Sequence, residues 1–302
     1  MSIETPQISA EVLNAAFIHK LDSGLIKEAE ESGSAYIRQK LYEEGLLRRL
    51  FTLETKTAED LDPDVDNDQP SIIVEMEPDA VQATFLPFKG TGDQRYFDGK
   101  RFRVPFGKVA SDIINKSKFE LMTIRMNIMD WLKENQVKQI HQQEDTLFMN
   151  ACNDIITAAA GSQTHSAGSD SFKDGFVGGL QLMTSLRLPV GQVLMNKNTY
   201  YESTKLKTDE IGFSPQEKRF NEGVESEDSF MGHKVVTTIK DDLVPDNCLF
   251  MFAPQEYFCK FYALQDATLF LKNEADMIQF HTYEAPGFGI GNTAGVIKVT
   301  WS

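Results

Sequence analysis

Residues 97–106, Phe-Asp-Gly-Lys-Arg-Phe-Arg-Val-Pro-Phe, decide how the rest of the chain is read. Phe102, Val104 and Phe106 face one way and Arg101, Arg103 and Pro105 the other, the two-residue period of a strand. Upstream, Thr84-Phe85-Leu86-Pro87-Phe88 reads as a second extended arm, and Lys89-Gly90-Thr91-Gly92-Asp93 between the two is a cluster of turn residues. The spacing predicts a long hairpin. A two-stranded ribbon is barely stable alone in water, so a long one must lie on something, and a neighbouring subunit is the obvious support. The hairpin runs on into an amphipathic helical stretch, Phe119–Ala160, with no catalytic cluster on either part. That pairing points to a building block.

The helical stretch is apolar over much of its circumference through Leu121, Ile124, Ile128, Met129, Trp131 and Leu132. Beyond a break near Asn135 it narrows to a stripe of Val137, Ile140, Leu147, Phe148, Ala151 and Ile155, the expected packing face of a spine. A helix over residues 137–160 would run about 35 Å. Before the hairpin, residues 10–18 and 35–51 show helical spacings interrupted by Gly24, Gly33 and Gly45, which predicts an arm of short helices. Residues 54–77 form an acidic linker with one short strand at Ile72-Ile73-Val74. After a Gly/Ser/Thr boundary at 161–170 an α/β pattern follows: helices at 172–186, 200–206 and 255–258, and strands at 192–195, 235–238, 249–252, 267–271, 278–283 and 296–301. The fold class expected is α+β.

A chain of 302 residues with 41% hydrophobic content can bury a substantial core. No window approaches the roughly 18 uninterrupted apolar residues of a membrane-spanning helix, and Met1–Ala10 lacks the regions of a signal peptide, so synthesis in the cytoplasm is expected. A formal net charge of −15 argues against sequence-specific nucleic-acid binding, which needs concentrated Lys and Arg. Lys100, Arg101, Arg103 and Lys108 are a local exception, read either as a solvated, salt-bridging strand face or as a surface that docks on an acidic patch of another copy. Cys152, Cys248 and Cys259 are too scattered for a disulfide framework or zinc site and read as buried thiols.

Three constellations invite chemistry. His141, Glu144 and Asp145 share one helix face at metal-ligand spacing, but a zincin needs a second histidine, so a polar face meeting solvent or a neighbour is the expectation. Asp64, Asp66, Asp68 and Glu75 copy part of a calcium loop, with Gln69 where the turn glycine belongs. Gly287-Phe288-Gly289-Ile290-Gly291 lacks the strand-then-helix context of a phosphate cradle and reads as a turn into the final strand. No cofactor and no metal site is assigned.

The order of parts resembles the major capsid protein of tailed double-stranded DNA bacteriophages, the Hong Kong 97-like fold. The hairpin is similar to that family's extended loop; Val137–Ile155 to its spine helix; and Gly232–Thr238, Asp241–Asn247, Leu249–Phe252, Gly289–Asn292 and Val296–Val299 to its axial strands and the last strand of its peripheral domain. The resemblance implies an N-terminal arm and acidic linker over 1–71, an extended loop over 72–108, a peripheral domain with the spine over 109–163, an axial domain over 164–264 and a return to the peripheral sheet over 265–302. It implies a virion protein that self-assembles into hexamers and pentamers of an icosahedral head around DNA, with scaffolding, portal and cement or decoration proteins as partners and no membrane. Phe97, Lys100, Arg101, Phe102, Arg103 and Phe106 would be its inter-subunit contacts. Lys89 or Lys100 with Asn292 supply the residue types of a covalent crosslink, without an activating acid placed by the sequence. An encapsulin-like nanocompartment shell is the alternative within the fold, and a metal-dependent hydrolase using His141, Glu144 and Asp145 the alternative outside it.

Overall fold

The computed structural model describes residues 45–62, 70–78, 83, 85–86, 88–91, 94, 99–123, 136, 138–168, 172–202 and 227–301. Two sheets carry the architecture. The first has the order β1 (Glu54–Thr55), β11 (Cys259–Glu274), β12 (Met277–Ile290) and β4 (Val109–Ala110), with β5 (Ile114–Ser117) also pairing β12. Its centre is one long antiparallel hairpin, Cys259 opposite Ile290 at the base and Glu274 opposite Met277 at the tip. The sequence pattern predicts only the inner parts of those two strands, 267–271 and 278–283. They run longer because the ladder continues across two register shifts on β11, at Leu264 and at Asp266–Ala267.

The second sheet has six strands in the order β6 (Thr164–Ser166), β13 (Val296–Thr300), β10 (Cys248–Phe252), β7 (Gln192–Asn196), β9 (His233–Thr238) and β8 (Glu227–Phe230). Central β10 reads Cys-Leu-Phe-Met-Phe and is buried at every position, as a strand covered on both faces must be. Helix α4 (Phe172–Ser185) lies on this sheet, with Phe172 edge-on to Trp301 and Phe230 and Phe176 edge-on to Phe230. Here the expected course of the chain is corrected. Val296–Thr300 does not return to the first sheet: it pairs antiparallel with β10 and parallel with β6, because its apolar residues Val296, Ile297 and Val299 need both covered faces of the six-stranded sheet.

Helix α3 (Lys138–Ala158) is the long helix, about 30 Å. Its buried stripe is Ile140, Glu144, Phe148, Cys152 and Ile156, with His141, Asp145 and Met149 beside it. Ile140 and Phe148 are buried and Ala151 and Ile155 are half-buried, but Leu147 is 53% exposed and leaves the expected packing face. Residues four apart drift round an α-helix by less than those three apart, and the four-spaced rows are the ones that meet the sheets. Val137 and the predicted first half of the helix lie outside the described residues, save for α2 (Lys118–Thr123). One apolar core spans both sheets. Phe51, Phe148, Phe252 and Phe288 meet there with ring centroids 5.2 to 5.7 Å apart, the geometry in which edges meet faces. Short helix α1 (Leu46–Leu50) contributes Leu46, Leu47, Leu50 and, just past its end, Phe51 to the same core.

Candidate assembly site

The predicted hairpin exists with a different first arm. β3 (Lys100–Pro105) pairs antiparallel with β2 (Ser71–Met76), Ile72 opposite Val104 and Glu75 opposite Arg101. The described residues of 84–88, Phe85, Leu86 and Phe88, are outside any strand, in the connection between the two. The apolar run at Thr84–Phe88 imitates a strand, but Pro87 takes a ladder donor from it, whereas Ser71–Met76 offers six uninterrupted donors.

Alternation holds along the ribbon except at its ends, where Ser71 is buried and Lys100 exposed. Ile73, Glu75, Arg101, Arg103 and Pro105 are exposed; Ile72, Val74, Phe102 and Val104 are half-buried or buried. The inward face lies on the glycine run of β12, which is no turn. Gly287, Gly289 and Gly291 alternate with Phe288 and Ile290, which pack toward the core. A Cβ on Gly287 would stand 2.6 Å from the Phe106 ring, one on Gly289 2.5 Å from Val104 Cγ2, and one on Gly291 2.8 Å from the Phe102 ring. All three distances are sterically excluded, so the glycines form a bare shelf that lets a second layer of backbone approach the sheet. Phe106 stacks on Tyr262, bridges to Gly287 and anchors the base of the ribbon.

Within the expected contact set, Phe106 is buried and Phe102 half-buried against the chain's own sheet. Arg101 and Arg103 are exposed on the outward side, with Arg101 Nη2 2.7 Å from Glu75 Oε1; Lys100 is exposed at the end of the strand, and Phe97 lies outside the described residues. In the connection, Phe85 and Phe88 have fully exposed rings and Lys89 is exposed. By sequence Phe85 and Phe88 fall in a strand and Lys89 in the turn after it, and neither ring is among the expected contacts. Asn292 spends its side chain locally, accepting from the Ala294 N–H as the cap of a short turn.

The His141, Glu144 and Asp145 face is not a solvated one. All three are buried, and the two carboxylates already hold protein partners. Asp145 accepts from the N–H groups of Leu46 (3.2 Å) and Leu47 (2.9 Å) and from the Lys240 ammonium (2.7 Å), so α3 caps the first turn of α1 from across the core. Burial pushes its carboxyl above the ordinary range, while Lys240 and the two N–H groups pull it back. Glu144 receives Arg48 through Nε and Nη2 at 3.4 Å each, and the same guanidinium reaches Glu284 at 3.0 Å and Asp266 at 3.4 Å. Among the described residues no group of three His, Cys, Asp or Glu is arranged to hold a metal ion. Of the calcium-like series, Asp64, Asp66 and Asp68 lie outside the described residues and Glu75 faces Arg101. The three thiols are free and buried, each pushed upward by loss of solvent.

No protein-family model and no curated protein sequence matches the chain. Solved structures do. The capsid structure of the cyanophage P-SCSP1u is similar at a TM-score of 0.61 and 10% identity, over 85% of this chain and 88% of that one. A structure from Microbacterium phage Oxtober96 gives 0.57 at 13% identity over 86% and 91%, and the virus-like particle from Pyrococcus furiosus 0.52 at 15% identity over 90% and 99%. At such identities the likeness is one of fold. The chain has the Hong Kong 97-like α+β fold of phage capsid proteins.

Proposed function

We propose that the chain is a major capsid protein of the tailed-phage type, a structural subunit that assembles into hexamers and pentamers and closes into an icosahedral head around double-stranded DNA. The observation that carries this reading is the capsid fold over 85% of the chain. The ribbon supplies the contact mechanism. Its inner face is committed to its own sheet, which fixes its direction. Its outer face (Arg101, Arg103), Lys100 at its open end and the exposed rings of Phe85 and Phe88 then engage the adjacent subunit, apolar anchors supplying contact area and charge supplying register. In this reading the arm and acidic linker run over 1–71, with Gly45–Phe51 rooted in the core, and the two sheets belong to the peripheral and axial lobes.

Electron microscopy of the purified protein with a light-scattering mass tests it. Closed shells, or rings of five and six subunits, are expected; a 34.0 kDa monomer at every salt and protein concentration overturns it. The likeness to the Pyrococcus furiosus particle over 99% of that chain supports a second reading, a nanocompartment shell around protein cargo. Particles isolated from the producing cell separate the two: nuclease-resistant DNA inside supports a head, and a co-purifying protein without DNA supports the compartment.

A further inference from the structure

Arg48 stands at the junction of α1, α3 and the hairpin sheet. Its side chain is 1% exposed and faces Glu144 (2%), Glu284 (1%) and Asp266 (17%). Around this group lie His141 and Asp145 on α3, with Asp145 held by Lys240, and Arg49 of α1 turned aside to the Thr237 carbonyl. Among the described residues, Arg48 is the one cation in contact with Glu144 and Glu284. A buried guanidinium can offset one carboxylate; leaving two more ionised beside it in a dry core is strongly unfavourable.

The oxygens show where the excess charge goes. Glu284 gives Oε2 to Arg48, while its buried Oε1 meets no donor from any described residue. Arg48 Nη2 meets Glu144 Oε1 at 3.4 Å and Glu284 Oε2 at 3.0 Å, so a single nitrogen holds the two carboxyl groups side by side. Two carboxyl groups can hydrogen-bond to each other only when one of them keeps its proton.

We propose that the Glu144–Glu284 pair holds one shared proton at neutral pH, and that this proton controls a joint clamping the root segment Gly45–Phe51 between the spine helix and the sheet. With the proton in place, Glu284 donates to Glu144 and Arg48 balances the remaining charge. When hydroxide removes it, two adjacent carboxylates face each other beneath one guanidinium, and α1 loosens from α3. Burial first, then the neighbouring Glu144, pushes the Glu284 carboxyl up to about 10, with Arg48 opposing. The folded value lies above the unfolded one, so the stabilisation is complete below the ordinary carboxylate range and is lost as pH rises toward 10.

Infrared difference spectroscopy on the full-length chain tests this, and it reads the joint whether or not particles form. We expect one protonated-carboxyl carbonyl band at pH 7 that is lost on titration toward pH 10 and is missing in Glu284→Gln. Protection factors at Leu46–Phe51, with the base-catalysed rise of the intrinsic exchange rate divided out, should fall over the same pH range in the wild type and stay flat in Glu284→Gln, which keeps a neutral donor at that position. No acid band at pH 7, or a band unchanged in both Glu284→Gln and Glu144→Gln, overturns the proposal. The wild-type spectrum alone decides the matter if a variant does not fold.

Discussion

The two faces of β12 hold their neighbours by opposite means. On the outward face Gly287, Gly289 and Gly291 present bare backbone, and the ribbon lies down by shape alone. On the inward face Glu284 reaches into a buried ion cluster, and the root helix is held by charge. A shape-held contact ignores pH and salt but tolerates no added methyl; a charge-held one tolerates small shifts but not the loss of a partner. Within one strand, then, the same assembly element is rigid toward sterics on one side and sensitive to protons on the other.

Removing the guanidinium should break this contrast most severely. Arg48→Met leaves Glu144, Glu284 and Asp266 without their cation, and the uncompensated buried charge is expected to cost about 3–5 kcal/mol. Urea unfolding at pH 7 measures it. A loss under about 1 kcal/mol would mean that Leu46, Leu47, Leu50 and Phe51 hold the root by burial and the charges are incidental. On the outward face Gly289→Ala is the counterpart. Its Cβ meets Val104 at 2.5 Å, so the ribbon must lift, at about 1–3 kcal/mol. Hydrogen exchange should quicken in Ser71–Met76 and Lys100–Pro105 and remain unchanged in Leu46–Leu50; equal acceleration in both segments would show that the two faces are not independent.

Much of this contrast was illegible in the sequence, for reasons that differ by face. Strands such as Leu249–Phe252 and Val296–Thr300 announce themselves because apolar β-formers are local signals, and the alternation of Phe102, Val104 and Phe106 is equally local. Glycines carry no side chain and therefore no period, so the run at 287–291 looked like a turn until the ribbon's rings were seen above it. His141, Glu144 and Asp145 read as facing solvent or a neighbour because charges usually do; Arg48 and Lys240 stand 96 and 95 residues away along the chain, and Glu284 lies farther still. The sheet to which the last strand belongs is likewise a long-range fact.

Lys240 sharpens the inward side. Its ammonium is the cation on Asp145, and burial already raises that carboxyl. Lys240→Met raises it further. The folded value then lies more clearly above the unfolded one, so the deficit is largest at neutral pH and shrinks as acid protonates the group. We expect about 1–2 kcal/mol at pH 7, less than a fully buried pair because Lys240 is partly solvated, and little below pH 4. Thermal unfolding across that range checks the sign, and a pH-independent loss would place the effect in packing.

The smallest effect on stability belongs to the ribbon's outer pair. Arg101 and Glu75 are 2.7 Å apart but both largely solvated, so Arg101→Ala should change unfolding by under about 1 kcal/mol. Assembly is a different quantity. If the outer face meets acidic surface on the next subunit, Arg101→Glu leaves the monomer's stability intact, slows particle formation and weakens its salt dependence, because rim charges act mainly on encounter. Exchanging the pair as Glu75→Arg with Arg101→Glu restores the net charge of the face but moves each charge to the opposite strand. Recovery of assembly by the exchange would make the field of the whole face responsible; no recovery would make position decisive, and the ribbon's register on its glycine shelf would then set which charge meets which.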